Sequence, residues 1–363
     1  MVKTSRTILS IALAAATLGS LNTISFADNY VGNVNEFDTL DEYIEYCVPR
    51  HIYAQNLDVG DSIEYSNPVA IYDFEQNTII GSEIFLIDDG KIIGKMEIYG
   101  ENGDYTSYFD TTITDEIIDA FNEGDHVAIG SYEHSLLLYS DSDGFSFVDG
   151  VESNTVPDYI PAELYSISAQ DSVLVEYESL LNAQIGIPSE NMYSVNSIAS
   201  PSVPVTHVHN STTYDSNGQC WASCVAMKVN YHNGYSITSN KVYEDLTSAG
   251  IDFSTNGTQK ALTYYNYPNY VRTGTAMTPA NVATQIVNGK PIIMHISNGT
   301  YQHAVIIYGI VLDYSSSTYN IDDPNYTTVR SIVHSTTLNT LSTSINSYYS
   351  LGYYYSQWYN SFY

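Results

Sequence analysis

Three residues of this 363-residue chain have the types and positions that nucleophilic chemistry needs. Cys220 opens an apolar-periodic stretch to Tyr231 that closes on Asn233-Gly234, the pattern of a helix of about three turns with a glycine stop. A thiol at a helix N-terminus meets unpaired backbone N–H groups and the positive end of the macrodipole, which favour thiolate over thiol. Cys224, one turn further in, feels less of this effect. A thiolate acting at neutral pH also needs an imidazole, to hold the anion and later protonate the leaving amine, and the imidazole needs a carboxylate or amide to orient it. His303 begins the run Gln302-His303-Ala304-Val305-Ile306-Ile307-Tyr308-Gly309, which reads as a buried strand with the histidine at its mouth. Asp323 stands where the next strand, Tyr319 to Asp322, ends before Pro324. Adjacent strands ending at one edge would bring that carboxylate to the imidazole.

Taken singly, each residue has a plain structural explanation: a small buried hydrophobe, a satisfied core histidine, a turn former before proline. In the order cysteine, histidine, aspartate, with the cysteine opening a helix and the others on strands, they point to acyl transfer through a thiolate–imidazolium pair. His207 and His209, two apart and without a third nearby ligand, read as linker residues, not metal ligands. Asp141-Ser142-Asp143-Gly144 lacks the early and late ligands of a calcium loop and reads as a hairpin turn. No metal and no cofactor are expected.

The elements that must position the three residues lie in the second half. After the Cys220 helix, Thr278-Pro279 starts another, with proline at the first helical position. Pro291 to Ile296 and Ala304 to Ile310 are apolar runs suited to buried strands, followed by Tyr319 to Asp322. In the first half, Ile84 to Ile87 and Ile92 to Ile98 flank Asp88-Asp89-Gly90, a hairpin signature. His126 to Tyr132, Ser135 to Tyr139 and Phe145 to Val148 read as further strands, and Asp38 to Cys47 and Thr114 to Asn122 as helices with acidic first turns. Both halves are thus α+β, the first mostly antiparallel. Residues 194–204 thin to serine, asparagine, alanine and proline and read as a linker, which divides a domain at 28–193 from one at 205–363. The tyrosines of 348–359 read as closing strands with half-buried amphipathic rings, ahead of a sugar-stacking surface.

Charge is distributed unevenly. Residues 28–200 hold 34 acidic residues against three basic ones, a balance of −31, whereas residues 201–363 hold seven against six, a balance of −1. The acidic half repels nucleic acid and anionic lipid and favours solubility. Lys3 and Arg6, the apolar run Ile8 to Leu21 and the small residues of Ser25-Phe26-Ala27 form a secretory signal, residues 1–27, cut before Asp28. Secretion without a membrane anchor follows as the expected localisation. Cys47, Cys220 and Cys224 then leave an odd thiol in an oxidising compartment, and a 220–224 disulfide is disfavoured by their four-residue spacing on a helix.

Cys220-Trp221-Ala222-Ser223, with Met227, Asn230-Tyr231 and Gly234, resembles the nucleophile helix of bacterial papain-like cysteine peptidases. Gly289-Lys290-Pro291-Ile292-Ile293, then His303 to Gly309, then Asp322-Asp323-Pro324, is similar to the histidine and aspartate strands of the branch with bacteriocin-leader-processing and staphopain-like secreted enzymes. The likeness covers residues 205–363. It implies a papain-like α+β domain, a protein or peptide substrate, Cys220 as nucleophile, His303 as base, and Asp323, directly before proline, as orienting acid with Asp322 as the alternative. The family's oxyanion-donating glutamine, five or six residues before the nucleophile, has no counterpart here: Tyr214 and Asp215 occupy that stretch. Gln219, Asn210 and Tyr214 remain candidates, Gln219 first. Were Cys224 the nucleophile, Gln219 would stand nearer that distance, but the Trp-Ala pattern favours Cys220. The expected function is a secreted bacterial endopeptidase, with residues 28–193 as a propeptide that inhibits it intramolecularly or as a retained adhesive domain. The alternatives are a non-catalytic peptide- or wall-binding domain and a Cys-His peptidoglycan amidase.

Overall fold

The computed structural model describes residues 37, 39–60, 63–101, 104–123, 127–132, 135–140, 144–150, 172–175, 202–209, 219–267, 270–312, 317–334, 348–350, 353–355 and 357–363. The signal sequence, most of the linker and the Asp141 to Asp143 turn lie outside them.

The first half opens with helix α1 (Leu40–Gln55), longer than the sequence pattern suggested because it runs on through Pro49. Thr39 caps it, its hydroxyl accepting from the Glu42 N–H, and Asn56 ends it in the left-handed conformation. Strands β1 (Ile63–Ser66), β2 (Val69–Asp73), β3 (Thr78–Asp88), β4 (Lys91–Glu101) and β5 (Asp104–Asp110) follow. The β3–β4 hairpin turns on Asp89 and Gly90, both at positive φ (49° and 71°), the signature that makes Asp-Gly a tight-turn pair. Helix α2 (Asp115–Glu123) and strands β6 (Val127–Tyr132), β7 (Ser135–Ser140), β8 (Gly144–Gly150) and β9 (Ser172–Val175) complete this half. One pair, β2 with β6, is parallel; the others described are antiparallel.

The second half begins with helices α3 (Cys220–Asn233), α4 (Ser239–Ser248) and α5 (Gly257–Tyr264). The last two are short and polar on one side, and their sequences gave no clear periodic signal. Strand β10 (Arg272–Thr273) precedes helix α6 (Pro279–Val287), which starts with Thr278 as cap and Pro279 in the first turn, as its sequence predicts. Strands β11 (Ile292–Ser297), β12 (Gln302–Leu312), β13 (Ser317–Asp322) and β14 (Arg330–His334) form a meander, followed by the β15 (Tyr348–Ser350) and β16 (Tyr353–Tyr355) pair and by β17 (Gln357–Phe362). The unbroken apolar run of β12 has a physical cause: α3 covers the face carrying Ala304 and Ile306, and α6 covers the face carrying Val305 and Ile307.

The halves do not stay apart. Strand β14 pairs antiparallel with β5, Ser331 opposite Phe109 and Val333 opposite Ser107, so one sheet runs β10-β17-β11-β12-β13-β14-β5-β4-β3-β2-β6-β7-β8. Helix α1 lies over this seam. Its His51 is hydrogen-bonded at 2.8 Å to both Ser331 and Ser107, and the Tyr43 hydroxyl donates to the Val333 carbonyl. Below the seam, buried Arg330 reaches back into the acidic half, Nη2 at 2.9 Å from Glu97 and Nε at 3.7 Å from Asp110. Lys95 Nζ lies 3.4 Å from Asp110 and 4.0 Å from Glu83.

Two cations thus share a dry pocket with three carboxyl groups, and charge balance asks one carboxyl to stay protonated. That one is Glu83, whose pKa is pushed up to about 8 by burial, with Lys95 opposing the shift and the neighbouring carboxylates adding to it. A group whose pKa rises on folding contributes stability that is complete below its unfolded pKa, near 4.5, and lost as pH rises through about 8. Glu83→Gln, which mimics the protonated side chain, is therefore expected to flatten the stability loss between about pH 4.5 and 8. Urea midpoints of the variant and the parent across that range measure it.

Candidate active site

Cys220 is the first residue of α3 and packs among Ala222, Cys224, Val225 and the sheet residues Ala304 and Ile306. Gln219 stands at the cap position without a side-chain cap bond, so no capping oxygen competes for the first-turn N–H groups. Trp221 wedges the helix start against α4 and the chain leading to α5, with its ring 5.3 Å from Tyr243 and 6.0 Å from Phe253. Gly257 is glycine for this reason: a Cβ there would meet the Trp221 ring at 3.0 Å. At the far end of the same helix, buried Lys228 donates to the Pro291 carbonyl and lies 5.0 Å from the Tyr267 ring, tying α3 to the start of β11.

The strand pair β12–β13 supplies the rest. Ile306 lies opposite Asp322, so Asp323, the next residue, falls beside Val305, the same-face neighbour of His303. The two adjacent aspartates consequently face opposite ways. Asp323 Oδ1 accepts from His303 Nε2 at 2.8 Å, whereas Asp322 Oδ1 is bonded at 2.6 Å to His207 Nδ1 on the segment ahead of α3. The Cys220 thiol is an electrostatic neighbour of the His303 ring and helps to raise its pKa. Cys220, His303 and Asp323 therefore form one contiguous array, and Asp322 stands outside it.

Asp323 is wholly buried and its carboxylate is held at both oxygens. Oδ1 also accepts the Asn325 N–H at 2.9 Å, and Oδ2 accepts the Tyr348 hydroxyl at 2.9 Å. Burial alone would raise its pKa, but the His303 charge, the hydrogen bonds from His303 and the Asn325 N–H, and the Arg330 charge outweigh burial and lower it. For His303, burial pulls downward, and the Asp323 and Cys220 charges override it, pushing the imidazole up to about 10. Asp322 behaves oppositely: burial raises it, opposed by His207.

Cys220 keeps 8% of its surface exposed, whereas the other two thiols are fully buried. Cys224 is fully buried and raised well above the usual thiol range by burial and by the charges of Cys220 and the two aspartates. Cys47, on the buried face of α1, is pushed up to about 12 by burial. All three cysteines are free. Gln219 is buried, and neither atom of its side-chain amide has a hydrogen-bond partner among the described residues. Asn210 and Tyr214, its rivals for the oxyanion role, lie outside the described residues. His209 lies beside His207, ring centroids 6.1 Å apart, and the pair serves Asp322 instead of converging on His303. Among the described residues no group of three or more metal-ligating side chains converges. Sequence reasoning missed His207 and Tyr348 as partners of the two aspartates. A histidine in a linker and one tyrosine among 35 give no local signal of what they touch.

A thiol at a helix start, close to an imidazole that a buried carboxylate orients, is the arrangement of a thiol-dependent acyl-transfer enzyme. Residues 203–340 match the family described as papain-like cysteine protease AvrRpt2, so this segment is similar to papain-like cysteine peptidases. The segment includes all three residues of the array. No curated protein matches the chain.

Iodoacetamide should accordingly modify the native protein once, at Cys220, and Cys47 and Cys224 only after unfolding. Peptide mapping of the labelled chain, with Cys220→Ala as the unlabelled control, reads this directly.

Proposed function

We propose that the chain is a secreted cysteine endopeptidase that works through an acyl-enzyme on Cys220. The observation that carries this reading is His303 set between the Cys220 thiol and the buried Asp323 carboxylate within the segment similar to papain-like peptidases. The Cys220 sulfur attacks the carbonyl carbon of the scissile amide, and the carbonyl oxygen takes up the negative charge. The backbone N–H of Cys220, at the first position of α3, is the candidate first donor to that oxyanion, and Gln219, whose side-chain amide has no hydrogen-bond partner among the described residues, is the candidate second. His303 gives its proton to the amine nitrogen, the C–N bond breaks, and the amine departs. Water then attacks the thioester carbon while His303 takes a proton from it, and the thiolate leaves as the carboxylic acid forms. Asp323 keeps the ring oriented and stabilises its cationic form throughout. Lys3, Arg6 and the apolar run Ile8 to Leu21 support export, with cleavage before Asp28.

Casein hydrolysis that disappears with Cys220→Ala would support the reading, and undiminished hydrolysis would sink it. Asp323→Asn removes the charge that raises His303, so kcat/KM is expected to fall by about 10²-fold. In the same variant the alkaline limb of the pH profile should slide from near 10 towards the ordinary histidine range.

A further inference from the structure

We infer that the acidic N-terminal half is a permanent part of the working peptidase, and that Tyr348, braced by Tyr108 of that half, is the positioning residue for Asp323. The inference rests on the peptidase reading above, and it concerns residues that the family match at 203–340 does not cover.

A carboxylate that orients an imidazole must itself be prevented from turning. The His303 and Asn325 contacts hold one oxygen of Asp323, and Tyr348 alone, among the contacts described, holds the other. Strand β15 meets the turn after Asp323 a second time, through the Asn325 side-chain amide donating to Ser350 Oγ at 3.1 Å. Tyr348 is wholly buried, and burial together with the Asp323 charge raises its pKa well above the ordinary range, so the hydroxyl remains a donor.

What holds Tyr348 comes from the other half. Its ring stands edge-on to Tyr108 of β5, centroids 5.3 Å apart and planes at 85°. Tyr108 in turn packs against Tyr99 of β4 and lies 4.7 Å beneath the Arg330 guanidinium. Arg330 stacks on Tyr326 at 3.8 Å, and the Tyr326 backbone N–H donates to the Asp323 carbonyl. The continuous packing thus runs from Glu97, Asp110 and Lys95 through Arg330, Tyr326 and Tyr108 to Tyr348 and Asp323. Taking the acidic half away would strip Arg330 of its carboxylates, open the β14 edge, and remove the ring behind Tyr348. A releasable propeptide would leave a finished enzyme behind; this half instead joins the sheet through β5, three strands from β12, and carries part of the support for the acid.

The test uses the secreted chain, residues 28–363, with a recognition site for a specific protease placed within 194–200. After complete cutting, the two pieces should co-elute on size exclusion without denaturant and keep peptidase activity within about twofold of the uncut chain. Separation into a free C-terminal piece of full activity would overturn the inference. In the uncut chain, Tyr348→Phe should lower kcat about tenfold at unchanged KM. It should also move the alkaline limb to higher pH, because a carboxylate with one donor fewer places more charge on His303. Tyr108→Leu, which leaves the hydroxyl of Tyr348 intact, should reproduce the loss in kcat. A merely structural role for Tyr348 would lower stability and leave the limb in place, and a parental kcat and pH profile in Tyr348→Phe would overturn its assignment. A parent chain with no Cys220-dependent hydrolysis would instead refute the peptidase reading, which the co-elution result does not touch.

Discussion

Burying an imidazolium and a carboxylate costs several kcal/mol per ion, and only a close, well-bonded pair recovers that cost. His303 is 4% exposed and Asp323 fully buried, so each is tolerable as an ion because the other is 2.8 Å away. The rest of the site follows from this pair. With its Nε2 committed to Asp323, the ring is fixed in the orientation that meets the helix-borne thiol. Because strand residues alternate in direction, only one of two adjacent aspartates can make the pair, and the other needs a partner of its own, which His207 provides.

The same economy governs the seam between the halves. Arg330 follows the turn after Asp323 in sequence, and its countercharges, Asp110 and Glu97, lie on strands more than 200 residues earlier. A guanidinium between tyrosine rings, two carboxylates, a lysine and a protonated Glu83 make a neutral buried cluster that neither half can assemble alone. Sheet pairing between β5 and β14 supplies the backbone continuity, and α1 closes the seam with His51 and Tyr43. The acid-rich composition of the first half is thus partly structural, since Glu83, Glu97 and Asp110 belong to the core.

Much of the second half was legible in the sequence because its signals are local. Glycine 234 stops α3, Thr278-Pro279 starts α6, and a strand covered on both faces shows as the run from Ala304 to Ile310. The cysteine, histidine and aspartate could be named because a helix start and two strand ends are visible in one dimension. The partners of the aspartates were not, since Tyr348 and His207 reach them across more than 20 and more than 110 residues respectively. The Asn-Ser-Ala-Pro stretch at 194–204 suggested two separate domains, yet the sheet is continuous beyond it. Pairing between distant edge strands leaves no mark in either strand's own pattern. Helices α4 and α5 went unread for a related reason: both are short, and they depend on packing against Trp221 and α3 more than on their own periodicity.

The central claim is that a buried carboxylate keeps the His303 imidazole cationic against the pull of desolvation. Titration of the His303 ring by NMR, assigned through His303→Asn, tests it without any substrate. The ring should keep its proton up to about pH 10, and Asp323→Asn should bring the transition down. A ring that titrates near 6.5 in the parent protein, unmoved by Asp323→Asn, would contradict it.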